Sequence, residues 1–212
     1  MDKQQEHLET LREIRSLMER SSRFISLSGL SGVIAGVAAI SGVVAAYLYL
    51  GLNFSDPGYY KYAVSENGAP NAAVYTFFIT DIFIVFMVSL LAAIMLTMKK
   101  TRQQSRPVWD AIAKRLLINM LIPVIAGALF CLILLHHGYL ELIAPATLIF
   151  YGMALLNAGK YTLNDVRYLG VAEIATGLTA TLFFDYGLLF WAFGFGVIHI
   201  VYGITMYYKY EK

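Results

Sequence analysis

Three ionisable side chains stand inside stretches of sequence that are otherwise apolar: Asp81, Glu173 and His199. An ionisable group within a membrane costs at least a few kcal/mol, so such a residue invites a functional explanation. The charge of a histidine changes near neutral pH, and a histidine beside a carboxylate titrates as a coupled pair. These residue types therefore indicate proton or ligand binding inside a helix bundle.

Glu173 and His199 are predicted to meet, because they lie at similar depth on two helices joined by a short turn. Each falls on a helical face rich in small residues, which is typical of closely packed membrane helices. Those small residues are Gly170, Gly177 and Ala180 on one helix, and Ala192, Gly196 and Gly203 on the other. Two interpretations remain open: a hydrogen-bonded pair that fixes helix register, and a proton relay or ligand site.

Asn119 adds a second polar group, four residues before Pro123 on a predicted membrane helix. A proline removes a backbone hydrogen bond and can kink a helix. Kinked helices often flank cavities, although prolines in membrane helices are also commonly tolerated without one. We therefore expect Asn119, with Glu173 and His199, to line any solute cavity, and Asp81 to face the bundle nearer its outer end.

A different group of side chains collects at the predicted outer ends of the helices. Carboxylates and imidazoles are ligand types for zinc and other transition metals. Their spacing matches no known metal signature, and a solvated turn explains the two histidines equally well. The metal candidates are His136, His137, Glu141 and Asp185, with Asp81 nearby.

The sequence contains no nucleophile elbow, phosphate-binding loop, dinucleotide fingerprint or His-Glu-x-x-His motif. Catalysis is therefore not favoured, no catalytic residue is assigned and no cofactor is predicted. The basic residues form no face with reading elements, so nucleic-acid binding is not expected. The single cysteine, Cys131, excludes an intrachain disulfide.

The elements that carry these residues are membrane helices. The chain is 58% hydrophobic and only 14% charged, whereas soluble domains average about 25% charged residues. Six apolar stretches can be drawn, and 15 of the 16 Lys and Arg residues fall on one side of them, with Lys61 as the exception. The positive-inside rule then places both termini in the cytoplasm.

The predicted fold class is all-α: a polytopic membrane protein with a six-transmembrane-helix bundle and an amphipathic N-terminal cytoplasmic helix. Residues 1–23 form the amphipathic helix, 24–208 the transmembrane domain and 209–212 a cytoplasmic tail. The six spans are residues 24–50, 74–98, 113–135, 139–156, 168–184 and 188–207. Short connections make spans 3 and 4, and spans 5 and 6, antiparallel neighbours.

Small residues on the first span predict a close helix contact. Gly32 and Gly36 form a Gly-x-x-x-Gly motif, which lets helix backbones approach. Gly196 and Gly203 are candidates for the same kind of packing. Use within the bundle is favoured over a subunit interface, since five other helices are available.

Three functions remain open from the sequence. The favoured one is an integral inner or plasma membrane protein that binds or transports a small solute or ion through a cavity between the helices. The alternative is a non-catalytic partner or sensor subunit that engages a membrane or cytoplasmic protein through the N-terminal helix and the first span. An intramembrane metalloenzyme comes third.

Overall fold

In the computed structural model of the chain, the described residues are 28–53, 56–65, 68–103 and 111–212. The predicted amphipathic helix over 1–23 lies outside them, and so do the first residues of the predicted first span. Within the described ranges, the chain folds into helices without a β-strand. An all-α helical bundle is therefore confirmed.

Five long helices precede a sixth, segmented one. They are α1 (Gly29–Leu50), α2 (Ala72–Gln103), α3 (Ala111–His136), α4 (Ile143–Ala158) and α5 (Asp165–Ala180). The sixth span runs without a break through α6 (Gly187–Trp191), a π-helical segment (Ala192–Ile198) and α7 (His199–Tyr210). Short 3₁₀ turns occupy Tyr59–Ala63, Leu140–Leu142 and Phe184–Tyr186.

Five of these six helices are long and apolar enough to cross a membrane. Two of the five spans include the 3₁₀ turn that precedes them, namely Leu140–Ala158 with α4 and Phe184–Tyr210 in the sixth span. The exception is α5, which at 16 residues is about 24 Å long, against a hydrocarbon core of about 30 Å. Large apolar side chains cover the outside of the bundle; Ile79, Leu129 and Val201 are each more than half exposed. The chain is an integral membrane protein.

Glycines let two pairs of helices approach closely. A methyl group added at Gly36 would lie 2.6 Å from the carbonyl oxygen of Gly196, and one at Gly32 would lie 3.3 Å from the Cα of Gly203. The face of α1 with the Gly-x-x-x-Gly motif is therefore packed inside the chain against the sixth span. In the same way, a methyl at Gly152 of α4 would lie 2.6 Å from the carbonyl oxygen of Gly170 of α5.

The helices form two groups of three. In one group α1 packs between α2 and the sixth span, and in the other α4 packs between α3 and α5. The predicted antiparallel contact of spans 3 and 4 is thus present, and α5 contacts the sixth span as well as α4. Among the described residues, α2 and α3 are not packed against each other, although they follow one another in sequence.

Polar contacts join the start of α1, the end of α2 and the start of α5 to the C-terminal residues on one side of the bundle. The Gly29 backbone N–H at the start of α1 donates to Glu211 Oε1 at 2.6 Å, and Lys100 Nζ near the end of α2 donates to the same oxygen at 3.2 Å. Lys209 Nζ of α7 donates to Asp165 Oδ1 at the start of α5 at 2.8 Å. These residues all belong to the side that the sequence assigns to the basic segments.

The 3₁₀ turn Tyr59–Ala63 covers the opposite side, which is called the outer side below because the charge bias of the sequence predicts that it faces away from the cytoplasm. Tyr59 is 7% exposed, and its hydroxyl donates to the carbonyl oxygen of Leu140 at 2.8 Å. Tyr60 donates to Asp185 Oδ1 at 2.8 Å. The connection between α1 and α2 therefore lies over the turns that begin α4 and the sixth span.

Candidate functional site

Glu173 and His199 meet in the middle of the bundle. The imidazole Nδ1 lies 3.1 Å from Glu173 Oε1. Glu173 is completely buried and His199 is 5% exposed. Glu173 lies eight residues into α5, which is about 12 Å along the helix axis and half its length.

Tyr151 of α4 completes this cluster. Its hydroxyl lies 3.0 Å from His199 Nε2, and the Tyr151 and His199 ring centroids are 5.4 Å apart. A phenol can donate to a neutral imidazole nitrogen or accept from a protonated one. The contact can therefore be kept in both protonation states of His199.

The backbone around His199 departs from a regular α-helix. His199 Nδ1 lies 3.1 Å from the carbonyl oxygen of Gly194, which is in the π-helical segment. Since a carbonyl oxygen only accepts, this contact requires a proton on Nδ1. Single-turn π-helical insertions are rare and occur frequently at functional sites.

Gly194 also makes room for the acid. A methyl group there would lie 2.6 Å from Glu173 Oε2 and 2.5 Å from Leu148 Cδ2. No larger side chain fits unless the carboxyl group or Leu148 moves. A glycine at this position therefore allows a carboxyl group to lie directly against the sixth span.

The carboxyl group of Glu173 is not satisfied by its surroundings. Although Oε1 is close to the imidazole, neither carboxyl oxygen has a hydrogen-bond partner among the described residues. A buried, unpaired carboxylate is strongly unfavourable unless it binds a proton or faces a cation. The pair can meet this requirement in two ways, as a neutral acid beside a neutral imidazole or as a carboxylate beside an imidazolium, and each arrangement holds one transferable proton.

Aromatic rings connect this cluster to the outer half of the bundle. Phe195 lies between His199 and Trp191, with ring-centroid distances of 5.9 Å and 4.9 Å. Trp191 lines a cavity of about 200 Å³. Glu173 and His199 do not line that cavity, so the proton-binding groups and the open space are adjacent but separate.

The cavity is mostly apolar, and Asp81 is the carboxylate that lines it. Asp81 lies nine residues into α2, about 14 Å from its outer end. Gly42 of α1 faces it, since a methyl at Gly42 would lie 3.0 Å from Asp81 Oδ2. The sequence names Asp81 as a ligand- or proton-binding candidate, and the structure puts it at the cavity wall.

Asn119 takes no part in either feature. Its side-chain amide donates to the carbonyl oxygen of Arg115 at 2.8 Å and to the hydroxyl of Tyr161 at 3.3 Å. The structure therefore does not bring Asn119 together with Glu173 and His199, as the sequence analysis expected. The contact with Tyr161 joins α3 to the connection between α4 and α5, whereas the contact with Arg115 lies within α3.

The outer metal candidates are not brought together. His136 and His137 are exposed neighbours with ring centroids 5.2 Å apart, while Asp185 accepts from Tyr60 and lies 3.6 Å from Lys61 Nζ. In the part of the chain that the structure describes, no three His, Cys, Asp or Glu side chains converge as metal ligands would. The arrangement gives no support to metal chemistry here.

Sequence reasoning missed Tyr151 and Gly194. Tyr151 is one of 15 tyrosines, and only its depth within the fourth span, similar to that of His199, could have singled it out. Gly194 precedes Gly196 by two residues, so it falls off the small-residue stripe of a regular α-helix. The π-helical segment changes that periodicity, which a 3.6-residue pattern cannot anticipate.

Comparison with known proteins gives one partial match. The sequence model of the Sodium Bile acid symporter family matches residues 62–160, a little under half of the chain. The matched part covers α2, α3 and α4 and includes Asp81 and Tyr151, but it ends before Glu173 and His199. No curated protein and no solved structure matches the chain.

Proposed function

We propose that this protein moves a small solute across the membrane in a process coupled to proton binding at Glu173 and His199. The observation that carries the proposal is the completely buried Glu173 carboxyl group. It lies 3.1 Å from His199 Nδ1, yet neither of its oxygens has a hydrogen-bond partner among the described residues. A structural pair would be expected to satisfy both carboxyl oxygens, because unsatisfied buried polar groups destabilise the fold. The partial match to a symporter family supports ion-coupled transport.

The outer cavity supplies the space for the solute. It lies one aromatic contact, Trp191 to Phe195, away from the ring that packs on His199. A change in the protonation of His199 can therefore act on the cavity wall through rings that already touch. Coupling of this kind requires the proton and the solute to favour different arrangements of the same element. The sixth span is that element, because it carries both Trp191 at the cavity and His199.

Tyr202 marks a route for the proton from the side of the chain ends. Its hydroxyl is buried without a hydrogen-bond partner among the described residues. Tyr202 and Tyr151 both pack against one buried apolar cluster, which includes Val166 at the start of α5. The charge bias of the sequence supports assigning this side to the cytoplasm.

The direct test is an infrared titration of the purified protein. The wild-type chain should show a buried protonated carboxyl band that changes with pH and is lost in Glu173→Gln. Glu141→Gln removes a carboxylate at the outer end of the bundle and is the matched control, which should keep the band. A band that survives in Glu173→Gln would contradict the assignment.

The transport test uses proteoliposomes that enclose a pH-sensitive dye. Gradients of Na⁺ and of small organic cations, carboxylates and sugars are imposed one at a time. At least one gradient should change the internal pH with wild-type protein and with Glu141→Gln, and not with Glu173→Gln. Solute uptake with an unchanged internal pH, or an equal pH change in Glu173→Gln, would remove the proposed coupling.

A further inference from the structure

The outer cavity has a composition that selects a class of ligand. Its wall is apolar and carries one carboxylate, Asp81, together with four large aromatic side chains. Aromatic faces attract ammonium groups through their quadrupole, and combinations of several rings recognise organic cations. The aromatic side chains are Tyr59, Tyr75, Phe78 and Trp191.

Asp81 is placed to act as the counter-ion. No described residue donates a hydrogen bond to it or forms an ion pair with it. Glycine at position 42 lets α1 pack directly beside its oxygens without covering them with a side chain, because a methyl there would lie 3.0 Å from Oδ2. The outer cation Lys61 is occupied elsewhere, 2.6 Å from Asp56 and 3.6 Å from Asp185. The negative charge of Asp81 can therefore be neutralised by a positively charged group on the ligand.

The size of the cavity limits the ligand. A cavity of about 150 Å³ is large enough for benzene, and this one measures about 200 Å³. A drug-sized ligand needs at least roughly 300 Å³. The ligand is thus a small ammonium ion with an apolar body of about one aromatic ring.

The entrance faces the lipid. On the aqueous side, Tyr59 and Ala63 are buried and cover the cavity. Between α2 and α3, which do not pack against each other within the described ranges, the lining residues Ile79, Ile82 and Leu132 are 64%, 50% and 61% exposed. The open side of the cavity is therefore the gap between these two helices.

We infer that the cavity binds a small, apolar organic ammonium ion, which enters from the outer half of the bilayer between α2 and α3 and pairs with Asp81. The ligand class deepens the proposed function, because it names a solute for the cavity. Binding of the ammonium ion can be measured without transport and without a change in internal pH, so the two proposals can fail separately.

Cys131 provides the reporter for a test, because it is the only cysteine of the chain, lines the cavity and is partly exposed. The full chain in lipid nanodiscs is modified with a neutral and a trimethylammonium methanethiosulfonate, and the rates are compared. In Asp81→Asn, the cationic-to-neutral rate ratio should fall at least tenfold. Asp56→Asn, at an exposed outer carboxylate, is the matched control and should leave the ratio unchanged.

Ligand binding is then measured as protection of Cys131. Benzyltrimethylammonium should protect it saturably, and its uncharged isostere neopentylbenzene should protect at least tenfold less well. Protection by the cation should be lost in Asp81→Asn and partly kept in Asp81→Glu. Glu141→Gln, which removes a carboxylate that does not line the cavity, should leave it unchanged. Leu132→Trp at the entrance should slow the onset of protection, whereas Ile118→Trp, exposed on the same helix away from the cavity, should not.

Several outcomes would overturn the inference. Equal protection by the neutral isostere would show that the cavity binds apolar molecules such as lipid chains without selecting a positive charge. Unchanged protection in Asp81→Asn, with Asp81→Glu folded normally, would remove the counter-ion role. Absence of saturable protection by the cation in the wild-type chain would reject the ligand class, and unchanged kinetics in Leu132→Trp would reject the lateral entrance.

Discussion

Gly194→Ala tests the geometry on which the candidate site depends. The added methyl group would lie 2.6 Å from Glu173 Oε2 and 2.5 Å from Leu148 Cδ2, so the carboxyl group and Leu148 must both move by several tenths of an ångström. Because the Oε1 atom of the same carboxyl lies 3.1 Å from His199 Nδ1, that movement disturbs the pair. Overpacking of this kind destabilises a protein by about 1–3 kcal/mol.

The measurement is reversible unfolding in mixed micelles, followed by tryptophan fluorescence, of Gly194→Ala, Glu173→Ala and the double variant. Truncation of Glu173 removes the oxygen that the methyl would meet but leaves Leu148. The loss of stability from Gly194→Ala should therefore be about 1 kcal/mol smaller in the Glu173→Ala background, within the range measured for residues in contact.

Strict additivity of the two substitutions would refute the contact between the Glu173 carboxyl group and Gly194. A change of less than about 0.5 kcal/mol in Gly194→Ala alone, which is typical of substitutions away from packed contacts, would refute the close approach of α5 to the π-helical segment. In either case the geometry proposed for the proton-binding pair would no longer stand.

Three further predictions concern the packing and the two ends of the bundle. Gly36→Ala directs a methyl into a backbone carbonyl of the sixth span and should destabilise the protein by about 1–3 kcal/mol, whereas Ser41→Ala, on an exposed position of α1, should change the unfolding free energy little. Glu211→Ala removes the carboxylate at the start of α1 and should reduce stability by about 1 kcal/mol, seen as earlier unfolding in the same titration. The hydrogen bond to Asp185, followed by burial, raises the pKa of Tyr60. The stabilisation of the outer turn by this hydrogen bond is therefore present below the ordinary tyrosine pKa of about 10 and is lost as the pH rises through the higher folded-state pKa. Phenolate absorbance of the wild-type chain, compared with that of Tyr60→Phe, should detect this titration.

The sequence on its own carries the membrane character, the helical class and the depth of the ionisable groups. Long apolar stretches have only one way to satisfy their backbone in lipid, which is to form helices, so α1 to α4 and the sixth span could be predicted. The meeting of Glu173 with His199 could also be anticipated, because a short hairpin and a 3.6-residue period fix both depth and face.

Only the tertiary structure decides what surrounds that pair. Tyr151 reaches His199 because Gly152 and Gly170 let α4 approach α5, and Gly194 faces Glu173 because the π-helical segment shifts the helical phase by one residue. Asn119 is a further example, because its depth and the nearby proline did not reveal that it contacts Tyr161 and not the Glu173–His199 pair. The cavity at Asp81 likewise depends on α2 and α3 lying apart. The sequence pattern of apolar residues cannot predict which helices of a bundle leave a gap, because surfaces that face lipid and surfaces that face another helix are equally apolar.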